Sequence, residues 1–281
     1  MAIKNLLVAF QDDEGSRTAL RLALQMGRKY GAAVTGTYVH VPFEGQQHLK
    51  LVSRWVPQDV AEMIRRAGRE GAREVEASFC SVVAEHGAGV EHRWIGSEGN
   101  PTLMLARQAR YFDLLITGQF EGALRHGGRA LQPEEVIARA GKSVLMVPEK
   151  YEVRPFEEYA VVAWDGSRSA GRALTDAMQI LETKRRLDVV TVHSQGETER
   201  LGWLGDLDII EHLRRHGIEA KHIDLPVKGG VGETLLRYCG ETRPDVLVMG
   251  AFGRGKLGTV LFGGVSNYVL EHQSVPVLMS H

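Results

Sequence analysis

One string of buried-strand character appears twice, and this repetition constrains the fold more than any other feature. Asp113-Leu-Leu-Ile-Thr-Gly118 matches Asp245-Val-Leu-Val-Met-Gly250 at an offset of 132 residues. Ser143-Val-Leu-Met-Val147 matches Pro276-Val-Leu-Met-Ser280 at an offset of 133. Leu7-Val-Ala-Phe-Gln11 matches Val161-Val-Ala-Trp-Asp165 at 154, so the first copy is about 22 residues longer after its opening strand. Each match alone is weak, but three in the same order indicate duplication. A period this long means two domains and not a solenoid, whose repeats are shorter. The join falls near 148–155, where charged residues and two prolines interrupt the apolar pattern. The expected domains are 1–150 and 151–281.

Within each copy, apolar runs such as Val246-Leu-Val-Met249 do not alternate with polar residues. That pattern belongs to strands buried on both faces, as in a parallel sheet covered by helices. The second copy reads as strands at 159–164, 188–193, 220–225, 245–249 and 275–279. Helices alternate with them at 167–181, 207–216, 233–239 and 264–271, with Ser167 or Ser169 as the first N-cap. The first copy follows the same plan, with strands at 5–10, 33–41, 91–95, 113–117 and 143–147. Its extra length falls in 42–57 and in a helical stretch, 58–86, which Gly68 and Gly71 would bend or split. The expected class is α/β, two tandem doubly wound domains.

Net charge is -1, which provides no overall electrostatic drive toward nucleic acid or an anionic membrane. No apolar segment approaches the ~20 residues that span a bilayer, and the opening residues read as a strand and not a signal peptide. Cys80 and Cys239 lack metal-ligand spacing and read as reduced thiols, as expected of a cytoplasmic protein.

Function points to the ends of two strands in the second copy. In open α/β sheets ligands bind beyond the carboxyl ends of strands, where strand order reverses. Trp164-Asp165-Gly166-Ser167 closes one strand. Met249-Gly250-Ala-Phe252-Gly253 closes another, and Gly263-Gly264-Val265-Ser266 opens the last helix. Glycines allow backbone to approach a ligand, and the free N–H groups of a helix start suit phosphate. If the two strands are neighbours, Asp165 faces the glycine loop and can accept hydrogen bonds from a ribose hydroxyl or a base amino group. The alternative for Asp165 is a turn former and N-cap. Arg254 and Lys256 could close over phosphates or stand as solvated loop charges.

At these residues the chain resembles the universal stress protein family. Gly250, Gly253 and Gly263 match that family's Gly-x2-Gly-x9-Gly-(Ser/Thr) spacing, and Asp165 matches the Asp that closes its first strand. The resemblance covers both copies and implies five-strand parallel sheets in the order 3-2-1-4-5. It further implies ATP, accompanied by Mg2+, as ligand, and pairing of the two copies as a dimer-like unit, leaving open a homodimer of chains. By the same carry-over, Ala163 and Trp164 border the base, Val192 contacts adenine, and Met249 and Phe252 line the site. The departure is Gly264, which stands where the family has Ser or Thr, with Ser266, Arg254 and Lys256 as compensators. The first copy departs further: Gln11 replaces the Asp, Glu121 the second glycine, and Leu131-Gln132 the last pair. A carboxylate there repels phosphate, so the expectation is one nucleotide site per chain.

Competing signals fail. Gly253-Arg-Gly255-Lys-Leu-Gly258 imitates a dinucleotide fingerprint, but no complete βαβ unit can follow it. There is no Walker A string and no Gly-x-Ser-x-Gly elbow. His212 and His216 lie one turn apart without a third metal ligand in view. The expectation is therefore an ATP-binding regulatory protein that is at most a slow ATPase, with no catalytic residues assigned. The alternatives are a nucleotide hydrolase or transferase using the same crevice, and a scaffold that binds no nucleotide.

Overall fold

The computed structural model describes residues 3–41, 57–119, 133–156, 158–193, 208–251 and 264–281. The chain divides into two compact units, 2–150 and 151–281.

The first unit runs β1 (Asn5–Ala9), α1 (Glu14–Tyr30), β2 (Ala33–His40), α2 (Gln58–His86), β3 (His92–Glu98), α3 (Pro101–Ala109), β4 (Leu114–Gly118), α4 (Pro133–Ala140) and β5 (Val144–Val147). All pairings are parallel, and the strands lie in the order β3-β2-β1-β4-β5. The second unit repeats the plan with β6 (Tyr159–Ala163), α5 (Arg168–Leu181), β7 (Arg186–His193), α6 (Ile209–Arg215), β8 (Lys221–Pro226), α7 (Val231–Thr242), β9 (Val246–Gly250), α8 (Gly264–His272) and β10 (Val277–Ser280). Its order is β10-β9-β6-β7-β8, again parallel throughout. Central strands are buried on both faces, which explains their unbroken apolar runs. The chain belongs to the α/β class, as its repeated pattern predicts.

Local chemistry explains where the helices start. Asp13 caps α1, accepting from Ser16 N at 2.6 Å. Ser167, one of the two residues offered by the sequence, caps α5 through Ala170 N at 3.1 Å. Gly31, at φ 61°, ends α1 in the left-handed conformation that glycine adopts without a Cβ clash.

The extra length of the first unit becomes one continuous helix, α2, of 29 residues. Gly68 and Gly71 do not split it. A Cβ at Gly68 would lie 2.8 Å from His40 Nε2, so this glycine lets the ring of His40 reach the helix backbone. Phe79 uses a second gap, since a Cβ at Gly36 would lie 2.4 Å from its ring. Phe79 packs there with Phe10 and Trp94 at centroid distances of 5.8 and 5.0 Å.

Both units fasten their first and fourth strands with the same device. Asp113 Oδ2 accepts from Lys4 N at 2.7 Å and Asn5 N at 2.9 Å. Asp245 Oδ2 accepts from Glu158 N at 2.8 Å and Tyr159 N at 3.0 Å. In the second unit Lys184, with a fully buried side chain, adds a 3.1 Å ion pair to Asp245 and stands 3.7 Å over the ring of Phe156.

Candidate functional site

In the second unit the chain crosses the sheet between β8 and β9, which makes the β6–β9 boundary its topological switch point. β6 and β9 are direct neighbours: Ala160, Val161 and Val162 register with Val246, Leu247 and Val248. One step further up stand Ala163 and Met249, and then Trp164 and Gly250. The two strands are therefore neighbours, the condition the sequence left open, and these residues stand side by side at one strand end.

Each residue expected in the site has a definite environment or lies outside the described residues. Ala163 and Trp164 are half-buried, and Trp164 N extends the ladder to Val190 O at 2.9 Å. Asp165 is exposed, and its Oδ1 accepts from Ser167 N at 2.9 Å. It is thus a turn former, as its alternative reading holds, while still presenting its carboxylate to solvent. Gly166 follows at φ 69° and lets the chain turn into α5. Val192 is half-buried near the end of β7, and Met249 is 5% exposed.

Gly250 has a packing reason to be glycine. A Cβ there would meet Ala170 N and Ser169 C, each at 2.5 Å. The end of β9 therefore runs directly beneath the first turn of α5. Gly118 repeats this in the first unit, where a Cβ would lie 2.5 Å from Gly15 C. Gly264 and Val265 open α8, Gly264 exposed and Val265 half-buried, and a Cβ on Gly264 would meet nothing within 4 Å. Ser266 is 4% exposed, which withdraws its hydroxyl from the surface. Phe252, Gly253 and Gly263 lie outside the described residues, as do Arg254 and Lys256 and, in the first unit, Glu121, Leu131 and Gln132.

The corner that holds Asp165 differs between the units. In the first, Gln11 is followed by Asp12 at φ 63°, a conformation unusual for a residue with a Cβ. Its carboxylate is held by Arg17 and by Ser78 of α2, and Arg17 also bonds Ser78 Oγ at 2.7 Å. At the matching positions the second unit has Gly166 and Gly171, which carry no side chain. The described groove bounded by Cys80, Val83, Gly87, Val90 and His92 lies where α2 ends and β3 begins, away from any strand's carboxyl end.

Sequence reasoning missed a pair of side chains beside this site. His193, the last residue of β7, places Nδ1 2.7 Å from Asp224 Oδ1 on β8. His40 and Glu98 repeat the pair in the first unit at 3.4 Å. The signal available was positional: both histidines end the second strand of their copy.

Comparison with known proteins follows the same division of the chain. The model of the universal stress protein family matches twice, at residues 2–148 and 160–281. The chain belongs to the universal stress protein family. A universal stress protein of Mycobacterium tuberculosis is 25% identical over 251 residues, covering 82% of this chain and 83% of the relative. One from Synechocystis is 26% identical over 171 residues, covering 59% and 57%. A universal stress protein of Archaeoglobus fulgidus superposes with a TM-score of 0.71 at 19% identity, over 98% of this chain and 97% of that one, a likeness of fold. Another universal stress protein, solved in complex with cAMP, is 21% identical with a TM-score of 0.35, over 44% of this chain and 96% of its own.

Proposed function

We propose that this universal stress protein is an ATP-binding regulatory protein with one nucleotide site, in the second unit at the carboxyl ends of β6 and β9. The observation that supports the reading is the adjacency of β6 and β9 at the switch point, with Asp165 following the end of one strand and Gly250 ending the other. Asp165 accepts from the ribose, and Trp164, Ala163, Val192 and Met249 border the base. The N–H groups of Gly253, Gly263, Gly264 and Val265 receive the phosphates, with Mg2+ bound through phosphate oxygens and water. Each hydrogen bond to a charged acceptor contributes about 1.5–3 kcal/mol, so three or four support micromolar affinity once the losses of binding are met.

Within this proposal the first unit is a degenerate copy that pairs with the second and binds no nucleotide. Its strand-end corner carries Asp12, Arg17 and Ser78 bonded to one another where the second unit has glycine. The reading assigns no residue as a general base, and rapid hydrolysis is not part of it. The test is calorimetry of the whole chain with MgATP. One equivalent bound at micromolar affinity supports the site, and no heat at millimolar ATP selects the nucleotide-free scaffold instead. Fast turnover abolished by Asp165→Ala would select the enzyme.

A further inference from the structure

We infer that His193 is the residue that selects the base at this site, accepting a hydrogen bond through Nε2 from an exocyclic amino group such as that of adenine. The inference rests on the nucleotide reading above for its ligand and on independent geometry for its chemistry.

Two strand levels place the ring. Ala163 registers with Val190, and Trp164 N bonds Val190 O. Registered residues of parallel strands point to the same face, so Trp164 shares its face with Thr191 and, two residues on, with His193. His193 stands three residues beyond the level of Ala163, about 10 Å further along the strand direction at ~3.3 Å per residue. It therefore ends the strand next to β6 at the height of the Asp165–Gly166 corner, on the side of Trp164, which the proposal sets beside the base. The backbone there is pinned as well, because His193 O accepts from Val227 N at 3.0 Å.

The partner of the ring fixes its tautomer. A carboxylate only accepts hydrogen bonds, so the 2.7 Å contact between Asp224 Oδ1 and Nδ1 places the proton of a neutral imidazole on Nδ1. Nε2 is then an acceptor. Among the described residues it has no hydrogen-bond partner, and the side chain is 21% exposed. The neighbouring His222 is engaged elsewhere, its Nε2 2.9 Å from Thr191 Oγ1. An acceptor at this place favours a base edge that donates, as the adenine amino group does. It opposes the carbonyl that guanine and hypoxanthine present at the same position.

The first unit supplies the internal contrast. His40 keeps the carboxylate partner, Glu98, and its O accepts from Gly99 N at 3.0 Å. Its Nε2 edge, however, lies against the α2 backbone, where a Cβ at Gly68 would come within 2.8 Å. The same pair is thus closed by the chain's own helix in the unit that lacks the other site residues.

The experiment has two parts on the full chain. Nitrogen-15 shifts of the His193 ring at pH 8, without ligand, are expected to show a protonated Nδ1 and a bare Nε2. A protonated Nε2 overturns the inference whatever the protein binds. Affinities for ATP and ITP are then compared, since the 6-amino group and bare N1 of adenine become a carbonyl and an N1–H in hypoxanthine. The wild-type protein is expected to favour ATP about tenfold. His193→Ala should bring the ratio near one. Asp224→Asn, whose amide can donate to Nδ1 and move the proton to Nε2, should turn the ratio in favour of ITP. Unchanged ratios in both variants, with ATP still bound, overturn the role of His193 and leave the crevice standing. A wild-type protein that binds neither nucleotide overturns both.

Discussion

Two glycines that look alike in the sequence do different things. Gly250 is held by packing against the start of α5. Gly250→Ala places a methyl group against helix backbone and should destabilise the second unit by about 1–3 kcal/mol, measured by urea unfolding. Gly264 faces open space, so Gly264→Ser should fold as well as the wild type. In calorimetry it should hold or improve ATP affinity, because a hydroxyl there adds a donor beside the phosphates. A large loss would show that the phosphates run elsewhere. The two thiols also separate. Burial pushes the Cys239 thiol up to about 12, whereas Cys80 is exposed. A thiol reagent should therefore label one cysteine in the native protein and two in denaturant. The sequence showed two free thiols but not which was shielded, since both lie on helices and only packing decides.

At the scale of elements, the foot of the second sheet carries a buried, hydrogen-bonded carboxylate, opposite the carboxyl ends of the strands. Asp188 is fully buried, and its Oδ2 accepts from Tyr159 OH at 2.7 Å, Tyr238 OH at 2.6 Å and an Arg186 guanidinium nitrogen at 2.6 Å. Burial alone would raise its pKa. The hydrogen bonds from Arg186, Tyr238 and Tyr159 outweigh burial and hold the carboxyl below its usual value. A depressed folded-state pKa contributes stability that is present above about pH 4 and lost as pH falls through the folded value. Removing both hydroxyls with Tyr159→Phe and Tyr238→Phe should move acid unfolding to higher pH, followed by circular dichroism. Asp188 joins β7 to α7 and β6, and its tyrosine partners could not be read from sequence spacing, because they come from two other elements, whereas Arg186 stands two residues away on the same strand. The strands themselves were legible, since buried parallel strands leave unbroken apolar runs. The end of β3 and the extent of α7 were less so. β3 reads His92-Arg-Trp-Ile-Gly-Ser-Glu98, an edge strand whose apolar pair, Trp94 and Ile95, is flanked by polar residues and a glycine. α7 begins after Gly230 with no side-chain cap to announce it. The continuity of α2 was hidden because Gly68 serves a contact with His40 of β2, which sequence spacing does not show.

At the scale of the whole molecule, the sequence disclosed a duplication, and the two units keep its architecture while differing where a ligand would sit. Shared features include the Asp113 and Asp245 clasps, the strand-end glycines Gly118 and Gly250, and the histidines that end β2 and β7. The differences gather at the first strand end, where Gln11 and the bonded Asp12 stand in one unit and Asp165 with Gly166 in the other. Copies that agree in scaffold and disagree at the crevice predict unequal binding. The stoichiometry of MgATP on the full chain, measured by calorimetry for the wild type, Gly253→Glu and Gln11→Ala, tests this claim most directly. The account predicts one nucleotide per chain, lost in Gly253→Glu and retained in Gln11→Ala. Two nucleotides per chain, or equal losses in both variants, would contradict it.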